Sequence, residues 1–599
     1  MAGYATNHRW PEHKDVSASK KVDYLSAEQM PTLPAMFNAR VERTPDAVAY
    51  TEYDHASGEW RSYTWCQTAD RVEILKRALQ QEGLKQGDRV GIRHRNGYNW
   101  LLFDMAALSL GLVVVPLYVD DRPENIAYVI KHAEIYLLFL ETREQWLSIA
   151  SQLKQHTDLT SVIVSEEGRD EDGRVVSYQT WIDCTERDFK DNTRINPYDV
   201  ATVVYTSGTT GKPKGVMLSH DNIISNIRTA LKRMEVTPKD RFLSFLPLSH
   251  MLERTVGHFL PVMTGSQVIY SRSIKELGDD LALHKPTIIV AVPRIFERVY
   301  QAISAKLKSV GRIRQWLFDK TMYVGLNYFN FTHKRTRLSP AVLSVPILDE
   351  LVAKPIRARL GGKLRFAISG GAPLAPAVAE LFIAMGVPIL QGYGLTETSP
   401  MVTGNTLQHN QPRSVGIPFD DIELRIDDEN NELLVRGPNV MLGYLKNDQA
   451  TAETIDEEGW FHTGDQAKIE DGYVYITGRL KDIIVMSNGE KIPPADIENS
   501  ILRDPVIEQV MVIGEQKPWL SALLVLSEGE QISEKEVIER INRQMRGFPG
   551  YASIRTVHIC DEGWNVENGL LTPTLKIKRN NLLERYQYVV KELYDETDK

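Results

Sequence analysis

The run Tyr205-Thr-Ser-Gly-Thr-Thr-Gly-Lys-Pro-Lys-Gly215 directly follows the apolar stretch 200–204. Thr206, Ser207, Thr209 and Thr210 bring hydroxyls, Gly208 and Gly211 bring bare backbone N–H groups, and Lys212 and Lys214 bring positive charge. Such a set can hold a polyphosphate. It is not the Walker type of loop, which needs four residues between its first glycine and a Gly-Lys-Ser/Thr. Here Gly208 and Gly211 are separated by two residues and Lys212 precedes Pro213. A P-loop kinase or GTPase is therefore disfavoured. The plain alternative is a glycine-rich turn without chemistry, and the lysines and hydroxyls weigh against it.

Four more polar motifs follow in order: Gln391-Gly-Tyr-Gly-Leu-Thr-Glu397, Gly459-Trp-Phe-His-Thr-Gly-Asp465, Gly478-Arg-Leu-Lys-Asp482 and Leu571-Thr-Pro-Thr-Leu-Lys-Ile-Lys-Arg579. With the loop, this ordered set resembles the adenylate-forming (AMP-binding) superfamily of acyl-CoA synthetases, luciferases and peptide-synthetase adenylation domains. Phe242-Leu-Ser-Phe-Leu-Pro-Leu-Ser-His-Met-Leu-Glu-Arg254, Pro286-Thr-Ile-Ile-Val-Ala-Val-Pro-Arg294 and Leu364-Arg-Phe-Ala-Ile-Ser-Gly-Gly-Ala-Pro-Leu374 are most similar to its long-chain fatty acyl-CoA synthetase branch. The resemblance implies a two-step ligase. A fatty carboxylate attacks the α-phosphorus of ATP to give acyl-AMP and pyrophosphate, and the thiol of coenzyme A, the co-substrate, then displaces AMP. Donors and Mg2+ must offset the meeting of two anions.

The same resemblance implies roles for individual residues. The loop from Thr206 to Lys214 holds the β- and γ-phosphates, Thr396 donates to the α-phosphate, and Glu397 with Thr206 offers hard oxygens to Mg2+. Tyr393 lies against the adenine, Gln391 and Gly392 beside it belong to the ATP/AMP-binding set, and Gly370, Gly371 and Ala372 form a close wall beside the adenylate. Asp465 accepts from the ribose hydroxyls, Arg479 reaches the same sugar, and His250 borders the carboxylate. Lys576 meets the developing charge of the adenylation step, with Lys578 as runner-up. Many family members have Gly before this lysine, whereas this chain has Leu575. Lys481 is the implied hinge, about which the C-terminal domain withdraws Lys576 and brings Ser487, Asn488 and Gly489 toward the acyl-adenylate to pass the pantetheine arm. Bland readings exist: a helix-start carboxylate for Glu397, a turn residue for Asp465, a solvated basic tail around Lys576. None of them accounts for the ordered set.

An acyl tunnel would draw on Met251, Val256, Phe259 and Val262, although each taken singly reads as plain core. Two rival functions remain. One is a fatty acyl-AMP ligase that loads an acyl carrier protein, and the other is a nucleotide-binding regulator that has lost catalysis. The regulator predicts damage at Lys576, Glu397 or the loop lysines, and all are present.

The elements that must position these residues are α/β in pattern. Helical periodicity alternates with β-branched runs at 47–53, 89–92, 113–117, 136–140, 200–205, 241–246, 267–270, 287–292 and 364–369, the signature of helix-covered sheets. Thr64 predicts the N-cap of a helix over 64–82. After Pro412 the texture turns to hairpins, as in 422–427 and 432–436. The expected organisation is an N-terminal adenylate-forming domain at 1–478, with a β-rich subdomain at about 412–478, a hinge at 479–482 and a small mobile α+β domain at 483–599.

Bulk properties agree with an enzyme of this size. A chain of 599 residues predicts several domains, at roughly 100 to 200 residues each. Apolar residues at 42% and charged residues at 25% are those of a soluble globular protein. A net charge of −9 favours no nucleic-acid partner, and Cys66, Cys184 and Cys560 form no C-x-x-C pair. The N-terminus has no apolar signal core, and the greasiest stretch, 105–119, is broken by Ser109, Gly111 and Pro116 and reads as a buried helix and strand. Cysteine usage and the missing signal predict a cytoplasmic location. Between Lys306 and Arg337, however, eight Lys/Arg residues accompany six Trp, Tyr and Phe residues against one acidic residue. That mixture suits peripheral contact with the inner face of a membrane, and an ordinary amphipathic helix pair has the same composition.

Overall fold

The computed structural model describes residues 19, 21–154, 158–166, 174–185, 193–206, 212–527, 529–546, 548–572 and 576–595. Ser207, Gly208, Thr209, Thr210, Gly211 and Leu575 lie outside the described residues.

Two large sheets with mainly parallel centres organise the first part of the chain. One has eight strands, in the order Gly443–Tyr444, Lys214–Ser219, Val200–Thr206, Val113–Pro116, Arg89–Arg93, Ile135–Leu140, Ser161–Val164 and Val175–Ser177. The other has nine, running from Ile417–Pro418 through Met401–Gly404, Ile389–Gly394, Phe366–Ser369, Ile288–Ala291, Arg241–Ser244, Gln267–Tyr270 and Val48–Asp54 to Glu59–Thr64. All nine runs expected from β-branched composition are strands, with ends shifted by a residue or two. Between the sheets lies helix Tyr98–Ser109, whose Leu101, Phe103, Met105 and Leu108 are wholly buried. A helix apolar all round belongs in such an interior. Thr64 caps helix Trp65–Gln81 by accepting from the Gln67 N–H at 3.2 Å.

The hairpins after Pro412 form a four-stranded antiparallel sheet, Glu423–Ile426, Glu432–Arg436, Phe461–Glu470 and Tyr473–Arg479. Beyond it, two clusters of buried side chains draw only on residues after 483, among them Ile497, Val512, Leu524 and Ile541 in one and Met511, Trp564 and Leu582 in the other. Strands Ile507–Ile513, Leu520–Leu526 and Ile554–Ile559 and helices Pro494–Ile501 and Glu534–Gln544 build this unit. Among the described residues, no helix is long and apolar enough to cross a membrane.

Candidate active site

Strand Val200–Thr206 ends at the glycine-rich motif, and the chain returns antiparallel as Lys214–Ser219, with Lys214 opposite Thr206. Thr206 and Lys214 are therefore paired ends of an antiparallel pair. Helix His220–Leu231 begins only after the return strand. The lysines are held by aromatic faces: Lys212 Nζ lies 5.2 Å from the Tyr128 ring and Lys214 Nζ 4.8 Å from the Tyr444 ring. Both contacts are within cation–π range.

Tyr444 also joins the loop to Glu397. Its hydroxyl donates to Glu397 Oε1 at 3.0 Å, and the Glu397 carbonyl accepts from Met441 N–H at 2.8 Å. Tyr444 arrives because strand Gly443–Tyr444 pairs with the return strand, Tyr444 opposite Val216. No sequence signal had nominated it. Burial raises the pKa of the Glu397 carboxyl, while Tyr444, Arg479 and Lys214 work to keep it ionised. Thr396 opens a single 3-10 turn, Thr396–Thr398, at the end of strand Ile389–Gly394. Only glycine fits just before it, since a Cβ on Gly394 would lie 1.7 Å from the Pro400 carbonyl oxygen.

Along that strand the side chains divide their work. Gln391 is buried, and its amide donates to the Pro412 carbonyl at 2.5 Å. Its side chain is spent on the scaffold, and its carbonyl accepts from the Asn405 N–H at 2.8 Å and from Asn405 Nδ2 at 3.2 Å. A Cβ on Gly392 would lie 3.1 Å from Thr403 O, a tight approach. The Tyr393 hydroxyl donates to Asp465 Oδ2 at 2.7 Å. Asp465 stands opposite Arg479 in the antiparallel pair, and Arg479 Nε donates to Asp465 Oδ1 at 2.7 Å. Burial opposes the Arg479 charge, but Asp465 outweighs it and raises the Arg479 pKa. Arg479 Nη2 also donates to Asp465 Oδ2 at 3.4 Å, so of the about four acceptor positions of a carboxylate about one is left over. Gly370 and Gly371 follow strand Phe366–Ser369; a Cβ on Gly370 would come within 3.2 Å of Leu252 Cδ2, Gly371 has φ +84°, and Ala372 beside them is exposed.

His250 is half-buried, and its Nδ1 accepts from the Leu252 N–H at 3.2 Å. The proton of its neutral ring is thereby assigned to Nε2. Burial and the nearby Lys576 charge hold its pKa at about 4. The segment after His250 carries Met251, Val256, Phe259 and Val262 fully buried, as plain core or tunnel wall alike would require. Unforeseen are the charges among them. Glu253–Phe259 is a π-helix containing buried Glu253, Arg254 and His258, and Arg254 pairs with buried Asp104 and donates to Thr202 Oγ1 at 2.7 Å. π-Helical turns are rare and concentrate at functional sites.

From the far end of the chain comes Lys576. An isolated bridge between Leu571 and Ile577, with Thr572 N–H donating to Lys576 O at 2.8 Å, makes the hairpin that presents it. Its side chain is exposed. Desolvation by the surrounding protein, with Arg479 nearby, lowers its pKa, while Asp465 and Glu397 pull it upward. Lys576 therefore shares one electrostatic neighbourhood with Glu397, Asp465, Arg479 and His250. Arg294 Nη2 to Glu508 Oε1 at 2.9 Å also ties the two parts together. Lys578 instead interacts with Arg122 and Asp121.

Two expected groups are not in this cluster. Lys481 is exposed in the single turn Leu480–Asp482. Ser487, Asn488 and Gly489 form the exposed tip between strands Ile484–Val485 and Lys491–Ile492, with Gly489 at φ +86°.

Comparison with known proteins places the chain in a family. The model of the AMP-binding enzyme family matches residues 37–445, and that of the AMP-binding enzyme C-terminal domain matches 481–598. The long-chain-fatty-acid–CoA ligase FadD15 of Mycobacterium bovis is 32% identical, covering 92% of this chain and 95% of the relative. The mouse long-chain-fatty-acid–CoA ligase 6 is 31% identical over 90% of this chain and 82% of its own. A chloroplastic long-chain-fatty-acid–[acyl-carrier-protein] ligase of Arabidopsis thaliana, AEE15, is 28% identical over 95% and 88%. Among solved structures, the A domain of a carboxylic acid reductase from Segniliparus rugosus, in complex with AMP and a co-purified carboxylic acid, has the same fold with a TM-score of 0.76 at 20% identity, over 95% of each chain. By these matches along most of its length, the chain belongs to the AMP-binding enzyme family.

Proposed function

We propose that this protein is an ATP-dependent long-chain fatty acid:CoA ligase that forms AMP and pyrophosphate. The observation that carries the reading is that Lys576, from the far end of the chain, feels the charges of Glu397, Asp465 and Arg479 and acts on His250. The relatives named as long-chain ligases support the acyl class. In the first step the carboxylate oxygen attacks the α-phosphorus and pyrophosphate leaves. The Lys576 ammonium and Thr396 hydroxyl face the charge growing on the α-phosphate, and His250 Nε2–H offers a neutral donor to the carboxylate. Asp465 and Arg479 hold the ribose while Tyr393 lines the adenine. Glu397 and Thr206 form a hard-oxygen set whose second carboxylate oxygen is left over by Tyr444, and these residues suit Mg2+, a cation that binds few protein oxygens beside substrate phosphates. Mg2+ would supply Lewis-acid neutralisation of the polyphosphate. For the second step, the units 1–478 and 483–599 turn about Lys481 in the 479–482 hinge, Lys576 leaves, and Ser487, Asn488 and Gly489 approach to admit the coenzyme A thiol.

A second reading, transfer to an acyl carrier protein, is supported by the Arabidopsis relative of that activity. Pyrophosphate release and thioester formation across saturated acids from acetate to C18, with and without coenzyme A, separate the two. Thioester formed best with the long acids is expected. Pyrophosphate without thioester on free coenzyme A would move the assignment to the carrier protein, and silence with every acid would favour a regulator.

A further inference from the structure

A helix from an earlier part of the chain takes hold of the glycine-rich motif from both sides. Helix Pro123–His132 buries Ile126, Ala127, Val129 and Ile130 in the same apolar cluster as Val203 and Tyr205. Tyr128 and His132 stand one turn apart on it and so share a face, with their rings 5.3 Å apart. His132 Nδ1 and the Tyr205 hydroxyl share a hydrogen bond of 2.7 Å, on the strand that ends at Thr206. Lys212, past the glycines of the motif, sets its Nζ over the Tyr128 ring. The helix therefore touches the chain on either side of residues 207–211.

The surroundings fix both contacts. Tyr205 is buried and stands opposite Gly215 in the antiparallel pair, where a Cβ would lie 3.0 Å from Tyr205 Cζ, so the glycine makes room for the ring that meets His132. Just past the helix, Glu134 pairs with Arg89 at 2.8 Å and with Lys446 at 2.6 Å. Leu445, beside that lysine, donates its N–H to the Gly215 carbonyl at 2.8 Å. Burial, with Lys446 and Lys212, lowers the His132 pKa against the pull of Glu134, so the ring is neutral at pH 7 and sets no charge against Lys212.

We propose that Tyr128 and His132 are positioning residues for the nucleotide, fixing the strand end at Tyr205 and the ammonium of Lys212 before ATP arrives. A lysine side chain has more rotamer freedom to lose than most, and a donor held in place beforehand loses less on binding. The ring face engages one side of the ammonium and leaves N–H donors for a phosphate. The inference rests on the reading of this motif as the holder of the β- and γ-phosphates, and it adds residues from outside the motif.

The test is titration of the full chain with Mg·ATP and, separately, with AMP, which lacks those two phosphates, in the absence of any acid. A cation–π contact at an exposed lysine corresponds to about two- to fivefold in affinity and a neutral hydrogen bond to about two- to tenfold. Tyr128→Leu with His132→Leu is expected to raise Kd for Mg·ATP roughly tenfold and to leave Kd for AMP within about twofold. Tyr205→Phe keeps the packing and removes only the hydroxyl, and it is expected to weaken Mg·ATP about threefold with AMP again unmoved. Tyr128→Phe keeps the ring and His132→Asn keeps a polar atom near the place of Nδ1, so both are expected to restore Mg·ATP binding. Equal weakening of Mg·ATP and AMP would reduce the contacts to general support of the fold and overturn the proposal, as would an unchanged Kd for Mg·ATP in the double variant and in Tyr205→Phe. Binding of neither nucleotide by the unsubstituted chain would overturn the nucleotide reading itself and the proposal with it, a result distinct from the other two.

Discussion

Lys576→Ala removes an ammonium from a site where Arg479, Asp465 and Glu397 already set the potential. A preorganised donor facing developing charge is worth about 10²–10³ in rate, or about 2.7–4 kcal/mol. Arg479 remains beside the vacancy and takes up part of that role, so adenylation is expected to fall by roughly 10², at the lower end of that range. Pyrophosphate–ATP exchange with a long-chain acid measures this step alone. Thioester formation from supplied acyl-AMP, measured separately, is expected to change less than about threefold, because Lys576 leaves before the thiol attacks. The pH dependence carries the same signature. With its pKa lowered by desolvation and Arg479, Lys576 loses its proton at a lower pH than an ordinary lysine, so adenylation should decline there and thioester formation should not. Equal losses in both steps would refute the alternation of domains, and an unchanged adenylation rate would refute the role of Lys576.

Tyr444→Phe keeps the ring under Lys214 but removes the donor to Glu397; a hydrogen bond to a charged group is worth about 1.5 kcal/mol, so KM for Mg·ATP should rise roughly tenfold, and an unchanged KM would remove Glu397 positioning from the account. Asp104→Asn strands buried Arg254 and should cost about 3–5 kcal/mol in denaturant unfolding; a cost below about 1 kcal/mol would mean that Thr202 and the aromatic rings satisfy the guanidinium alone. Burial pushes the Glu253 carboxyl up to about 8 from 4.5. Its contribution is therefore complete below pH 4.5 and lost as pH rises through about 8, a decline of about 1.4 kcal/mol per pH unit over that window. Glu253→Gln should flatten the decline, and parallel stability curves for the two proteins would contradict it.

The parallel strands were legible because each is a short β-branched run whose burial on both faces leaves no alternative pattern. The motifs were legible as an ordered set, and the roles of their residues came from the resemblance of that set to a family, not from the spacings. What escaped was set by distant pairing. Tyr444 reaches Lys214 through a two-residue strand more than two hundred positions away in the chain, which local periodicity does not register. The antiparallel pair at the glycine-rich motif escaped for the same reason, since Lys214–Ser219 reads as a strand only once Val200–Thr206 is beside it. Gln391 carried no mark that its amide would hold Pro412. Asp104 did carry one. Asp104 is a single charge inside the otherwise apolar helix Tyr98–Ser109 and demands a buried partner, which Arg254 supplies.

The most direct measurement is the product balance with palmitate, ATP, Mg2+ and coenzyme A. Palmitoyl-CoA, AMP and pyrophosphate in equal amounts are what the account predicts. ADP with phosphate, or AMP and pyrophosphate released without any thioester, would contradict it.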